Sequence, residues 1–372
     1  MAAVIEKRTW RDFDWLLAIL SIAVVCFGIW QIYNAQPNAN FWQKQIVGLG
    51  IALVAMIVVA LTDYRRLIDS APLLYSIGLV LLILVAIPGI GMKINGQRCW
   101  INLGFTQFQP SEFMKIPVIL MLAKYFGERK PGVLKLKEIG VGGLILVVPL
   151  ALIMLEPDAG QCITFIPIIA VIFFLSSIKL RWVVLTVAAG LIFTPLAYWI
   201  GKESGKIKDY QVKRIEAIID PEKADPRGFG YHTLQSIITV GKGGLIGFSD
   251  DTGLSQSALK FLPEPHSDFI FAVTAENTGF VGCITLLFAY ALILSRFVAG
   301  ARDASDKTGM LVIMSITGGM AFQIFMNVGM ALGFLPVIGV PLPLMSAGLS
   351  AILSTFIAIG FVISVKMRRF VN

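Results

Sequence analysis

"FLPEPHSDFIFAVTAENTGFVGCITLLFAYALILS", residues 261–295, opens on prolines and acids and then runs into hydrocarbon, with Glu276 the one charge after Asp268. A helix needs about 20 mostly apolar residues to cross a bilayer core, and this stretch supplies them. Inside lipid the backbone must satisfy its own hydrogen bonds, so only helices and closed barrels can span. The run does not alternate apolar with polar residues, which favours a helix over a barrel strand.

Similar runs recur outward in both directions. Ten spans are expected, near 13–33, 43–62, 71–91, 110–126, 138–155, 160–177, 180–200, 268–295, 309–332 and 344–365. With 56% hydrophobic residues over 372 positions and a mean hydropathy of +0.79, there is too little polar surface to cover a soluble domain. The expected fold class is therefore an all-α polytopic membrane protein with about ten transmembrane helices. It forms a single membrane domain over 1–372, with one large outer loop (201–267) between the seventh and eighth helices. The first span follows Lys7, Arg8 and Arg11 but is too long, and lacks the small-residue site, for a cleaved signal peptide.

Lys and Arg in the short loops set the orientation. An inside N-terminus puts 18 of the 31 basic residues on the cytoplasmic side, including "DYRRL", "KYFGERKPGVLKLK" and "KMRRF". Nine of the other 13 lie in the long loop, which has little say in topology. Both termini are then cytoplasmic. The net charge of +8 is mostly this inward bias, and there is no basic and aromatic stripe to suggest nucleic acid. Four scattered cysteines and two histidines, His232 and His266, have the spacing of neither a disulfide framework nor a zinc site.

On this topology four polar clusters converge on the outer side. In "NGQRCWINLGFTQFQPSEFMK", 95–115, Pro110 suits a first helical turn and Glu112 and Lys115 share a helix face. They read equally as an ion pair at a helix entrance. "EPDAG", 156–160, puts Glu156 and Asp158 in a tight turn, where an N-cap Asp would produce the same letters. The long loop carries a helical pattern at 209–219, with Lys213 and Arg214, and a second apolar segment at 231–240 that ends in glycines. It suits the outer interface, where arginine fits phosphate or lipid headgroups. In the opening stretch Ser267 or Asp268 could cap the eighth span, yet a cap needs one oxygen. Glu264, His266, Asp268 and Glu276 are all supplied, with Asp268 and Glu276 expected on roughly one helix face. Carboxylates at a membrane segment are functional candidates by default. Asp268 at a water–lipid boundary is expected to hold its proton more tightly than in water, which suits a general base.

"FQPSEFMK" (108–115), "EPDAG" (156–160), "DYQVKRIEAIIDP" (209–221), "GFGYHTLQSIITVGKGGLIG" (228–247), "FLPEPHSDFIFAVTAENTGFVG" (261–282) and "GVPLPLMSAG" (339–348) stand in the order of the SEDS family (shape, elongation, division and sporulation). The chain resembles that family over nearly its whole length, and "GYH" at 230–232 resembles its RodA branch more than its FtsW branch. The resemblance implies a peptidoglycan glycosyltransferase in the bacterial cytoplasmic (inner) membrane. Such an enzyme polymerises lipid II, a disaccharide-pentapeptide on undecaprenyl pyrophosphate, on the outer face during cell elongation. It works beside a class B penicillin-binding protein and the elongation machinery. By the same resemblance Asp268 in "HSDF" matches the family's essential aspartate. Glu112, Lys115, Asp158 and Arg214 match its conserved positions, with Arg98, His266 and Glu276 as supporting candidates. "SAGLS" departs from a "SYGGS"-like segment at Ala347 and Leu349, and Pro265 and Ala159 are also departures.

The implied chemistry is inverting. Asp268 takes the proton of the acceptor hydroxyl as it attacks the donor's anomeric carbon, and Lys115, Arg214 and Arg98 face the departing pyrophosphate. No cofactor is firmly implied; a divalent cation at Asp158 or Asp268 stays open. Two other classes remain: a lipid II flippase, and a non-catalytic scaffold that activates the penicillin-binding protein. The chain shows no internal repeat of the kind many transporters carry.

Overall fold

The computed structural model describes residues 11–94, 97–104, 107–130, 132–156, 158–179, 181–182, 229–248, 261–262 and 264–369. Eleven helices are described: α1 (Trp15–Ala35), α2 (Phe41–Leu61), α3 (Tyr64–Asp69), α4 (Ala71–Ala86), α5 (Pro110–Gly127), α6 (Leu136–Leu155), α7 (Ala159–Leu175), α8 (Phe229–Lys242), α9 (Ile270–Arg302), α10 (Lys307–Ala331) and α11 (Leu349–Met367). Six of them (α1, α2, α6, α9, α10 and α11) are long and apolar enough to cross a membrane. α4 and α7 are shorter apolar helices, and α5 carries Glu112, Lys115 and Lys124 along its length. All of the seventh expected span except 181–182, and the helix expected at 209–219, with Lys213 and Arg214, lie outside the described residues.

The surface is that of a protein dissolved in lipid. Val54, Leu73, Leu144, Phe174, Phe288 and Phe325 are all more than 60% exposed, while Gln31, Gln45, Ser315, Asn327 and Ser364 are fully or almost fully buried. α8 shows the same inversion over four turns. Thr233, Ser236 and Thr239 face inward, Ser236 Oγ donating to the Ala331 carbonyl at 2.8 Å, while Leu234, Ile237 and Ile238 face out. One hydrophobic cluster runs from Phe13 to Met367. α11 lies along α2, α9 packs on α1, α8 and α10, and α5 sits among α4, α6, α7 and α10.

The connections expected inside meet at one end of the bundle. Asp14 caps α1 by accepting from the Leu17 amide, and also accepts from Arg296 Nη2 on α9 at 2.9 Å and Lys366 Nζ on α11 at 2.6 Å. The Tyr64 hydroxyl donates to Asp306, and Arg369 pairs with Asp12 and Asp303.

Three features depart from the sequence expectation. The entry to α5, expected as a loop, holds a three-stranded antiparallel sheet: β1 (Gly91–Ile94), β2 (Gln97–Asn102) and β3 (Gln107–Phe108). The last helix begins at Leu349 instead of near 344, because 338–348 is irregular backbone folded into the bundle, with Val340, Leu342, Leu344 and Met345 buried. α9 is broken at Gly279, whose φ of 64° and ψ of −163° suit only glycine. The glycine turn after α8 repairs the break. Phe280 N donates to Gly244 O, Val281 N to Leu245 O and Phe248 N to Glu276 O, at 2.9, 3.1 and 2.7 Å. Non-helical backbone in a membrane protein persists where other protein groups satisfy it, as here.

Candidate active site

Two irregular segments carry the site. Residues 264–269 turn into α9, and Phe269, not Ser267 or Asp268, holds the N-cap position without a side-chain bond. The simple capping role is therefore not taken. Asp268 also precedes the helix, so the expected helix face shared by Asp268 and Glu276 is not formed. Glu276 lies inside α9, fully buried, against the glycine turn at 243–248.

The second segment, 338–348, supports the first. Ala347 N donates to His266 O at 2.8 Å, and Ser346 Oγ donates to Ser267 O at 2.7 Å. Gln45 of α2 clamps this segment from the other side, Nε2 donating to Ser346 O and Oε1 accepting from Gly348 N, both at 3.1 Å. The His266 ring stacks on Phe41 with centroids 3.8 Å apart, and its Nε2 lies 3.5 Å from Glu264 Oε2. Burial lowers the His266 pKa, with Glu264 opposing. Gly339 passes so near Asp268 that a β-carbon there would stand 3.4 Å from Asp268 Oδ2. On its other flank Gly160 of the "EPDAG" turn meets the 338–339 backbone, where a β-carbon would come within 2.2 Å of Ile338 O. Glycine at 160 is thus what lets the turn bearing Asp158 reach the segment that bears on Asp268.

α5 starts at Pro110, as its missing N–H allows, and its first turn delivers Glu112 into the bundle. Lys115 Nζ donates to Glu112 Oε2 at 2.9 Å, the ion pair expected from their spacing. Glu112 Oε1 accepts from Gln161 Nε2, and Ser354 Oγ reaches Oε2 at 3.4 Å. Asp158 caps α7, its Oδ1 accepting from Gln161 N at 3.1 Å, while Oδ2 accepts from Gln109 Nε2 at 3.0 Å. The bland roles of both acids are real, and the two are also joined: Gln161 bridges Glu112 and Asp158, tying α5 to α7.

Within that turn the two acids titrate apart. Burial pushes Glu156 up to about 8, with Asp158 adding to it. Burial lifts Asp158 to about 6, the Gln161 amide pulling the other way. Near pH 7 the turn then holds one negative charge, on Asp158.

Glu112 and Lys115 form part of the wall of a pocket of about 560 Å³ that also reaches Thr164 of α7, Phe297 of α9, Ser315 and Gln323 of α10, Pro343 and Ser354. Arg98 does not join it. Its guanidinium meets the Ala86 carbonyl at the end of α4, at 3.5 Å. Arg214 lies outside the described residues. Among the described residues no three His, Cys, Asp or Glu side chains gather as a metal site, so Asp158 and Asp268 have no third such ligand there. Gln45, Gln109, Gln161, Asn327 and Ser354 went unrecognised in the sequence, although a lone polar residue in an apolar run is the signal that would have marked most of them.

The chain matches the family model described as cell cycle protein, spanning FtsW, RodA and SpoVE, over residues 12–370. It is 35% identical over 368 residues to the Escherichia coli peptidoglycan glycosyltransferase MrdB, covering 98% of this chain and 97% of that one. It is 33% identical to the Bacillus subtilis stage V sporulation protein E, over 95% of this chain and 96% of the relative. Among solved structures, a chain described under the structural coordination of polymerization and crosslinking by a peptidoglycan synthase complex aligns with a TM-score of 0.83 at 31% identity, covering 97% of this chain and 99% of that one. Thermus thermophilus RodA, a rod shape determining protein, aligns with a TM-score of 0.71 at 28% identity, over 97% and 98%. The broken helix, the two irregular segments and the joined acids are therefore features of a member of the FtsW, RodA and SpoVE family, to which this chain belongs.

Proposed function

We propose that this protein is a peptidoglycan glycosyltransferase of the bacterial cytoplasmic membrane that polymerises lipid II on the outer face during elongation, beside a class B penicillin-binding protein. The observation that carries the reading is the meeting of three distant motifs. The turn with Asp158 and the segment 338–348 pack on one another at Gly160 and Gly339, with the Asp268 carboxylate lying against Gly339. The names of the full-length relatives support the activity. The synthase complex containing the structural neighbour supports a cross-linking partner.

In this reading Asp268 takes the proton from the acceptor sugar hydroxyl as it attacks the donor's anomeric carbon from the face opposite the pyrophosphate. One base and no covalent intermediate are needed, because the configuration inverts. Lys115, held by Glu112 at the pocket wall, supplies positive charge to the leaving pyrophosphate, with Arg214 as a second source. The apolar outer faces of the bundle leave the undecaprenyl tail in lipid. If a divalent cation takes part, Asp158 and Asp268 would be the carboxylates to hold it, with the substrate's phosphates supplying further oxygens.

Polymerisation of purified lipid II, read as glycan length on a gel, tests the proposal with wild type and Asp268→Asn in the presence of the partner. Loss of polymer in the variant, with folding and partner binding intact, is expected. Equal polymer from both would remove Asp268 as the base. Movement of labelled lipid II across sealed vesicles without polymer from either would favour transport instead.

A further inference from the structure

We propose that Asn327 is a positioning residue for Asp268, an inference that rests on the reading of Asp268 as the base. Asn327 sits on α10, fully buried, beside the apolar cluster of Met326, Met330 and Val340. Its Nδ2 donates to two backbone carbonyls, Asp268 O and Val340 O, both at 2.9 Å. Both amide hydrogens are thereby used. Its Oδ1 is buried and has no partner among the described residues.

The two carbonyls belong to different irregular segments, and the site depends on how those segments meet. Asp268 carries the carboxylate, and Gly339, next to Val340, is the backbone against which that carboxylate rests. One planar nitrogen therefore sets the separation between the base and the surface beneath it. The same face of α10 that lines the pocket through Ile316, Met320 and Gln323 arrives one turn later at Asn327. The pocket wall and the support of Asp268 are thus one helix stripe.

Stability alone does not account for this residue. A buried amide is costly unless all its polar atoms are paired, and here the acceptor oxygen is left over. A leucine would fill a similar volume with no polar atom of its own to desolvate, although it would leave the two carbonyls without this donor. What the amide supplies is a fixed distance between two segments with no regular secondary structure of their own. Misplacing a catalytic group by about 1 Å can cost on the order of 100-fold in rate.

The test is steady-state polymerisation of lipid II by the full-length protein with its penicillin-binding partner. Wild type, Asn327→Leu, Asn327→Gln and Asp268→Asn are compared for kcat, KM and unfolding midpoint. Asn327→Leu removes both donors and should lower kcat by about 100-fold while KM stays within about threefold. Asn327→Gln keeps both donors on a longer arm and should recover part of the loss, at a normal unfolding midpoint. A merely structural role would not produce that split or that graded rescue. Near-wild-type kcat in Asn327→Leu, or losses in both Asn327 variants that follow the unfolding midpoint, would overturn the proposal while leaving an inactive Asp268→Asn, and so the Asp268 reading, in place. An active Asp268→Asn would overturn both.

Discussion

Glu156 gives the stability of this fold a pH dependence opposite in direction to that of most carboxylates, and Glu156→Gln should remove its share while leaving that of Asp158. Both its oxygens are buried with no hydrogen-bond partner among the described residues. Burial lifts its pKa from an ordinary 4.5 to about 8, and the neighbouring Asp158 adds to the rise. Because the folded value is the higher one, the penalty is absent well below pH 4.5 and grows as pH rises from there toward 8. The unfolded chain gains by releasing its proton while the folded one must keep it. Linkage puts the Glu156 penalty at about 3 kcal/mol at pH 7 and under about 1 kcal/mol at pH 5, so this one group should cost wild type roughly 2 kcal/mol between them. A glutamine leaves a buried amide with its own cost, but that cost does not change with pH. The informative quantity is therefore the slope. Unfolding free energy in mixed micelles, measured at pH 5 and pH 7 for both proteins, should fall in wild type and fall less in Glu156→Gln by about that amount. Parallel slopes would mean that the Glu156 carboxyl has found a cationic or hydrogen-bonding partner, and the reasoning would fail.

Asp14 should behave in the opposite sense. Burial alone would raise its pKa, but hydrogen bonds from Lys366, Arg296 and the Leu17 amide outweigh this and hold it below its ordinary value. Its contribution is then present above the unfolded value and is lost as pH falls through the lower folded one. Asp14→Asn should cost about 1–3 kcal/mol near neutrality, discounted for the partial exposure of Arg296, and should flatten the acid limb of stability. An acid limb as steep as wild type would contradict it. At the break in α9, Gly279→Ala should leave little extractable folded protein, because the new β-carbon would stand 2.4 Å from Gly247 N in a backbone conformation open only to glycine. Gly300→Ala is the control, meeting only side-chain atoms at 3.5–3.6 Å, and monodisperse protein from both variants would refute the packing argument.

The spans were legible because hydropathy reports the surroundings of a segment, and a lipid-facing helix announces them over 20 residues. That signal does not report conformation. "GVPLPLMSAG" is as apolar as a span, so its last residues, 344–348, and the last helix read as one object. In the fold the segment is buried by other protein, and Gln45, His266 and Asn327 satisfy its backbone groups. A helix beginning at Leu349 and an irregular segment before it leave the same letters. The short strands at 91–108 were hidden for a related reason. Their pairing links residues through a hairpin and β3, and their apolar residues (Met92, Ile94, Cys99, Trp100, Ile101 and Phe108) are too few and too mixed with polar ones to announce strands. The break at Gly279 was equally silent, since its repair comes from the turn at 244–248, more than 30 positions earlier.

The acids were legible one by one, and each invited a modest explanation that turned out to be true: Glu112 pairs with Lys115, and Asp158 caps α7. What single residues could not reveal was their joining through Gln161, because glutamine carries no charge and lies in a run that reads as plain span. That joining bears on purpose. Taking an ion pair out of water often costs more than the pair returns, so a buried pair is weak evidence for stability. Here the pair lies at the wall of a pocket, with Lys115 still partly open to it and Glu112 held by two further donors. The carboxylate accepts from three donors, while the Lys115 side chain, 12% exposed, lines the pocket. A pair kept for stability alone would gain nothing from being drawn out of water to a pocket wall. A pair that holds a cation at a pocket wall for a substrate gains from fixing the anion, and the proposed role of Lys115 toward the pyrophosphate accounts for that arrangement.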